Sequence, residues 1–299
     1  TTPVMTCQTV DRGIAAELFF KCENFQRTGS FKLRGAANAV FSLTHEEGAK
    51  GVATFSSGNH GAAIALAARA RGIRAFVVMP ERATPVKRAA IEGYGATVID
   101  CPGGPPEHER ELARVIEKTG VIYIHPFNDA RVIAGQATAA FELIHEVPNL
   151  DVLITPVGGG GLLSGTALAA AIFAPRIKIF AAEPDGANDA YRSLKAGKLI
   201  PVGNATTVAD GLRTSLGSLT FPVIRRHVHK IICVSDTEIL DAMRRIWERM
   251  KIVVEPSAAA ALAALLKKSA VFAGKRVGVI LSGGNVDLNL SGYGAPDPA

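Results

Sequence analysis

Lys32 is the residue of this chain best suited to act as a nucleophile. It follows Thr28, Gly29 and Ser30, which read as a turn whose hydroxyls cap a helix. Phe31 and Leu33 flank it, and the small apolar residues Ala36, Ala37, Ala39 and Val40 predict close packing of that helix. An ammonium held there loses hydration, which disfavours the charge and leaves a reactive amine. A lysine snorkelling from a helix end would give the same pattern, so this stretch alone leaves both readings open.

Two further stretches could hold an anion. Val52 to Phe55 reads as a strand, Ser56, Ser57, Gly58 and Asn59 as a polar turn, and Ala62 to Ala70 as an alanine-rich helix. Strand, glycine-containing turn and helix present backbone N–H groups to negative charge. Gly158, Gly159, Gly160 and Gly161 lie between a strand at Val152–Thr155 and a helix at Leu162–Phe173. Four successive N–H groups without side chains can close on a phosphate, helped by the positive end of the helix. A dinucleotide site competes on this segment: Gly159 and Gly161 are followed by Ser164 where a third glycine belongs, and Glu183 ends the next strand where a ribose-binding acid would lie. That reading leaves Lys32 and the Ser-Ser-Gly-Asn turn unexplained. Ser282 follows a last strand, Val277 to Leu281.

The elements that must carry these residues alternate. Strands are expected at Leu18–Cys22, Ala75–Met79, Thr97–Asp100, Val121–His125, Ile177–Ala181 and Ile231–Val234, with helices between most of them. Such a pattern predicts an α/β fold with a mostly parallel sheet covered on both faces. Residues 51–128 form an alternating unit of their own, expected as a small mobile domain inserted into a large domain of residues 1–50 and 129–299. Ser235 and Glu238 make a capping box for a helix whose buried face includes Ile239, Met243, Ile246 and Trp247. With 48% hydrophobic and 20% charged residues, the 299-residue chain has the makings of a soluble globular protein. Its charge of +6 is dispersed, without the basic-aromatic interleaving of a nucleic-acid binder, and no apolar run spans a bilayer. Four scattered cysteines and no visible export signal favour free thiols and the cytoplasm.

Taken together, Lys32 in its Ser-Phe-Lys setting, Ser56–Gly61, the glycine run and Leu281 to Asn285 resemble the fold-type II pyridoxal-phosphate enzymes. The serine/threonine dehydratases and serine racemases are the nearest subgroup. The resemblance runs over nearly the whole chain, with four separated motifs in the family's order. It implies that Lys32 forms the internal Schiff base, with cofactor contacts from Phe31, Asn59, Leu162, Gly211 and Ser282 and a phosphate cradle at Gly158–Gly161. It further implies that Ser56, Ser57, Asn59 and His60 hold the substrate carboxylate. Glu183, Ala187 and Asp189 match a divalent-cation loop whose all-oxygen ligands suit Mg²⁺ or Ca²⁺. A homodimer is the family's habit.

The same resemblance implies a PLP-dependent ammonia-lyase that converts a small β-hydroxy amino acid to a 2-oxo acid and ammonia. A hydroxyl at Ser282 cannot keep a pyridine nitrogen charged, which suits elimination. Phe127, after His125 and Pro126, also looks dehydratase-like. Ser57 keeps racemisation open, alone or together with dehydration in one protein, since in the racemases a serine at this position exchanges the proton opposite the lysine. Either Arg110 or His108 would face the substrate side chain; Arg110 would favour 3-hydroxyaspartate.

Overall fold

The computed structural model describes residues 1–56, 58–81 and 85–288. Ten strands among these residues form two sheets. The larger contains β1 (Val4–Met5), β2 (Glu17–Cys22), β7 (Val152–Pro156), β8 (Lys178–Pro184), β9 (Val228–Val234) and β10 (Arg276–Leu281), in the order β1-β2-β10-β7-β8-β9. The smaller contains β3 (Val52–Phe55), β4 (Ala75–Pro80), β5 (Thr97–Cys101) and β6 (Ile122–Tyr123), in the order β5-β4-β3-β6. β1 pairs antiparallel with β2; the other strand pairings among the described residues are parallel.

A parallel sheet needs cover on both faces. All five residues of β7 are buried. The helix Pro256–Lys267 is buried from Pro256 to Leu265 and packs against β7, β8, β9 and β10. On the other face, helices Ala130–Glu146 and Gly161–Phe173 pack together, and the first of these also carries the helix Lys32–Phe41. That contact is close because Gly135 has no side chain: a Cβ there would lie 2.5 Å from the carbonyl oxygen of Arg34.

Arg34 pins the start of the Lys32 helix. Its guanidinium donates to both carboxylate oxygens of Glu23 at 2.7 and 2.9 Å and to both of Glu142 at 2.7 and 2.8 Å. Lys21, fully buried on β2, donates to the same Glu142 at 2.8 Å. Two cations and two carboxylates thus tie β2, the Lys32 helix and helix Ala130–Glu146 together, with most of their hydrogen-bonding capacity used.

Two local expectations are corrected. Thr28 and Ser30 do not cap the Lys32 helix: their hydroxyls are buried without a partner, and Phe31 is the N-cap residue. Ser30 is instead extended and forms an isolated antiparallel bridge with Gly283, just beyond β10, rather than opening a helix. The strand expected at Val121–His125 is only Ile122–Tyr123, because the Nδ1 of His125 takes the amides of Phe127 and Asn128 and turns the chain. The strand expected from Ile177, ending near Glu183, runs from Lys178 to Pro184. The Ser235 capping box forms as expected.

Candidate active site

The site is built where parallel strands end, as in other open α/β sheets. β3 leads into Ser56, whose Oγ accepts from the amide of Gly58 at 3.1 Å, and helix Asn59–Arg71 starts at once. β7 leads into the glycine run, and β10 leads into Ser282, which is buried and whose carbonyl accepts from the amide of Phe31. The ends of both sheets therefore meet around the Lys32 turn.

Lys32 opens its helix, and its Nζ donates to the carbonyl of Pro126 at 3.0 Å. The amine lies 5.2 Å from the centroid of the Phe31 ring. Desolvation brings its pKa down to about 8, opposed by the nearby charge of Glu255. Close to neutrality a useful fraction of the amine is therefore unprotonated, the form that attacks a carbonyl or takes a proton.

Gly158 to Gly161 follow β7 with no room for side chains. A Cβ on Gly159 would lie 2.3 Å from the Phe127 ring, and Gly160 takes a φ of +86° with Ile224, Leu216 and Thr220 crowding its Cβ position. The carbonyl of Gly159 is held by the hydroxyl of Thr220 at 2.9 Å. Among the described residues no protein acceptor takes the N–H groups of the four glycines. An open row of amides at the start of helix Gly161–Phe173, with Leu162 buried behind it, fits a phosphate group.

Asn59 belongs to a chain of contacts that crosses the site. Asn285 donates through Nδ2 to the carbonyl of Thr28 at 2.7 Å and to Oδ1 of Asn59 at 2.9 Å. Asn59 in turn donates to the two carboxylate oxygens of Glu255 at 3.0 and 3.1 Å. Glu255 is 4% exposed and stands at the N-cap position of helix Pro256–Lys267. Burial, with the charge of Asp210, pushes its pKa up to about 7. Sequence reasoning missed this residue; a carboxylate directly before a Pro-Ser helix start was the available signal. Gly211 donates to the hydroxyl of Ser257 at 3.1 Å on the same helix.

Two histidines near the site are held neutral. His60 is buried, and desolvation followed by the charge of Lys32 lowers its pKa to about 3; its Nε2 meets the carbonyl of Ile124 at 3.3 Å. The ring is thereby directed into the smaller sheet's core, while Nδ1 is buried without a partner. His125 is lowered to about 4 by the same causes. Ser57 lies outside the described residues.

Glu183 and Asp189 approach one another under the end of β8. Glu183 accepts from the amides of Ala190 and Tyr191 at 2.7 and 2.8 Å, and Asp189 from the amide of Leu216 at 3.1 Å. Both are 1% exposed, and burial raises them to about 8 and about 6. Oδ1 of Asp189 is buried without a partner. Ala187 is buried on the turn between them. Among the described residues no three His, Cys, Asp or Glu side chains form a metal-holding group, so a cation here would complete its shell with backbone carbonyl or water oxygens.

The two side-chain candidates separate clearly. Arg110 is 69% exposed and paired with Glu107. His108 is 5% exposed, stacked at 5.3 Å on Phe55, the residue before Ser56, and both its ring nitrogens lack a partner.

A lysine, an open glycine run and a buried serine lie together at the ends of parallel strands. Residues 1–283 match the pyridoxal-phosphate dependent enzyme family, and the chain belongs to it, with the fold-type II architecture. It is 52% identical over 294 residues to a serine racemase of Dictyostelium discoideum, covering 96% of this chain and 90% of that protein. It is 49% identical over 288 residues to a beta-hydroxyaspartate dehydratase of Paracoccus denitrificans, covering 96% and 91%. The solved structure of maize serine racemase superposes with a TM-score of 0.95 at 47% identity, covering 98% of this chain and 90% of that one.

Proposed function

We propose that this enzyme is an ammonia-lyase that dehydrates a small β-hydroxy amino acid to a 2-oxo acid and ammonia. The observation that carries the reading is the Lys32 amine, lowered to about 8 and placed between the Phe31 ring and the Pro126 carbonyl, with Phe127 against the glycine cradle. Bound pyridoxal phosphate supplies the carbonyl that takes the substrate amine and draws electron density from the α-carbon. Lys32 is the group that holds it and afterwards accepts the α-proton at Nζ. The Ser56–Asn59 turn orients the substrate carboxylate, and buried Ser282 offers a hydroxyl rather than a charge to the ring nitrogen. Departure of the β-hydroxyl as water leaves an enamine, which water hydrolyses to the oxo acid and ammonia.

His108 gives the preferred substrate class. A buried imidazole with both nitrogens unpartnered, stacked beside the carboxylate turn, suits a second carboxylate better than a methyl group. This favours a 3-hydroxyaspartate over threonine. Racemisation is the second reading, carried by Ser57 and by the identity to the Dictyostelium racemase. The carboxylates of Glu183 and Asp189 would hold Mg²⁺ or Ca²⁺ with the Ala187 carbonyl. Residues 51–128, carrying the smaller sheet, would move as a unit against the rest. Free Cys7, Cys22, Cys101 and Cys233 agree with a cytoplasmic location, and the enzyme would act as a homodimer. Among the described residues no helix is long and apolar enough to cross a membrane. The test is 2-oxo acid and ammonia release from L-serine, L-threonine and L-threo-3-hydroxyaspartate. Equal amounts of both products, greatest with the hydroxyaspartate, are expected; no release from any of them would overturn the reading.

A further inference from the structure

The chain leaves the smaller sheet through a turn that depends on one side-chain acceptor. β6 ends at Tyr123, and Asp129 is the N-cap of helix Ala130–Glu146. Between them Pro126 has no N–H, and the amides of Phe127 and Asn128 have no backbone acceptor among the described residues. Both donate to Nδ1 of His125, at 3.2 and 2.9 Å. An amide can only donate, so Nδ1 must present its lone pair, and the ring hydrogen of His125 lies on Nε2. An imidazolium would set its own Nδ1–H against two N–H groups. Desolvation pushes the ring the same way, towards the neutral form.

Three contacts hang on this turn. The Pro126 carbonyl accepts from Nζ of Lys32 at 3.0 Å. The Phe127 ring meets the His125 ring edge-on at 4.6 Å and occupies the space over Gly159. Oδ1 of Asn128 accepts from the amide of Leu219 at 2.8 Å, and the hydroxyl of the next residue, Thr220, holds the Gly159 carbonyl. The turn is thus joined to the glycine run on two sides and to Lys32 on a third.

We propose that His125 is a positioning residue of the active site: its Nδ1 lone pair folds the turn that sets the Pro126 carbonyl against the Lys32 amine. A neutral amine that donates to a carbonyl turns its own lone pair away from that carbonyl. The direction of the Pro126 oxygen therefore decides where Lys32 can take a proton. Asn or Asp commonly supplies such a turn acceptor; the ring of His125 adds the contact with Phe127. The proposal rests on Lys32 as the base, and the experiment separates the two.

Two measurements on the cofactor-loaded enzyme test it. Long-range proton–nitrogen correlation NMR at neutral pH, with the His125 signals assigned by their loss in His125→Asn, should show the Nε2–H tautomer. An Nδ1–H or doubly protonated ring would overturn the proposal whatever the variants do. The second measurement is the rate of consumption of L-threo-3-hydroxyaspartate, compared at equal cofactor content read from the visible absorption band. His125→Phe keeps a ring and removes the acceptor, so kcat should fall about 10–100-fold. His125→Asn keeps an acceptor and removes the ring, so the fall should stay below about 10-fold. An Asn variant that loses as much as the Phe variant, or more, would make ring packing the function of His125 and overturn the proposal. If the Phe variant does not fold, His125→Leu replaces it under the same criterion. Borohydride reduction followed by mass spectrometry tests the reading of Lys32 alone. It should fix the cofactor to Lys32; attachment at another lysine would refute that reading, while the tautomer of His125 is read independently of it.

Discussion

The ring of Phe127 lies where a side chain on Gly159 would have to go: a Cβ there would be 2.3 Å from two ring carbons. The glycine run, proposed as the phosphate cradle, and the turn that carries the Lys32 partner Pro126 are therefore packed as one piece. Gly159→Ala forces one of them to move. Overpacking of this kind costs about 1–3 kcal/mol, which should weaken cofactor binding about 10–100-fold. Equilibrium dialysis of the cofactor checks this, and native affinity in the variant would show that the cradle lies elsewhere.

Arg34 should matter for folding more than for chemistry. Its side chain is 6% exposed and forked onto Glu23 and Glu142. Arg34→Ala leaves the fully buried Glu23 carboxylate with the Thr2 hydroxyl and no cation, while Glu142 keeps Lys21, and breaking a buried pair in this way costs about 3–5 kcal/mol. A fall in Tm of about 10 °C is expected. Arg34→Lys keeps the charge but loses the fork, so calorimetry should place it between the two.

Burial raises Glu183 to about 8 and Asp189 to about 6. Without a cation the folded chain then binds more protons than the unfolded chain from the usual carboxylate range up to about pH 8. Stability contributed by these protonated groups is present at acid pH and is lost as pH rises through the folded pKa values. A bound divalent cation replaces the protons and removes that loss. Mg²⁺ or Ca²⁺ should raise Tm by about 5 °C at pH 8 and by much less at pH 5.5, with EDTA reversing it. No response at pH 8 would show that these carboxylates hold no cation.

His108 and Arg110 make opposite forecasts. His108→Ala should lower kcat/KM for L-threo-3-hydroxyaspartate by about 10–100-fold, the worth of a hydrogen bond to a charged group, with a smaller loss for serine. Arg110→Ala, on the exposed side of its helix, should change neither. Parallel losses for both substrates in the His108 variant would reduce it to a packing role against Phe55.

Local pattern decided what was legible in the sequence. Lys32, the glycine run and the Ser235 capping box are each written in a few neighbouring residues, and the alternation of strands and helices is written in hydrophobic runs. Glu255 and Arg34 escaped because their partners are distant: Glu255 meets Asn59 across 196 positions, and Arg34 meets Glu142 across 108. The Ser30 hydroxyl misled for a related reason, since a bridge to Gly283 overrides the local preference for capping. The choice between His108 and Arg110 also needed the fold, because only burial separates two polar residues two positions apart on one helix.

Elimination is best distinguished from racemisation by following 2-oxo acid and D-enantiomer together, in one reaction of the cofactor-loaded enzyme with L-threo-3-hydroxyaspartate and then with L-serine. Elimination by Lys32 predicts oxo acid well in excess of the D-isomer with both substrates. D-isomer accumulating faster than oxo acid would contradict the proposed function and make Ser57 the acid-base partner of Lys32 in a racemase.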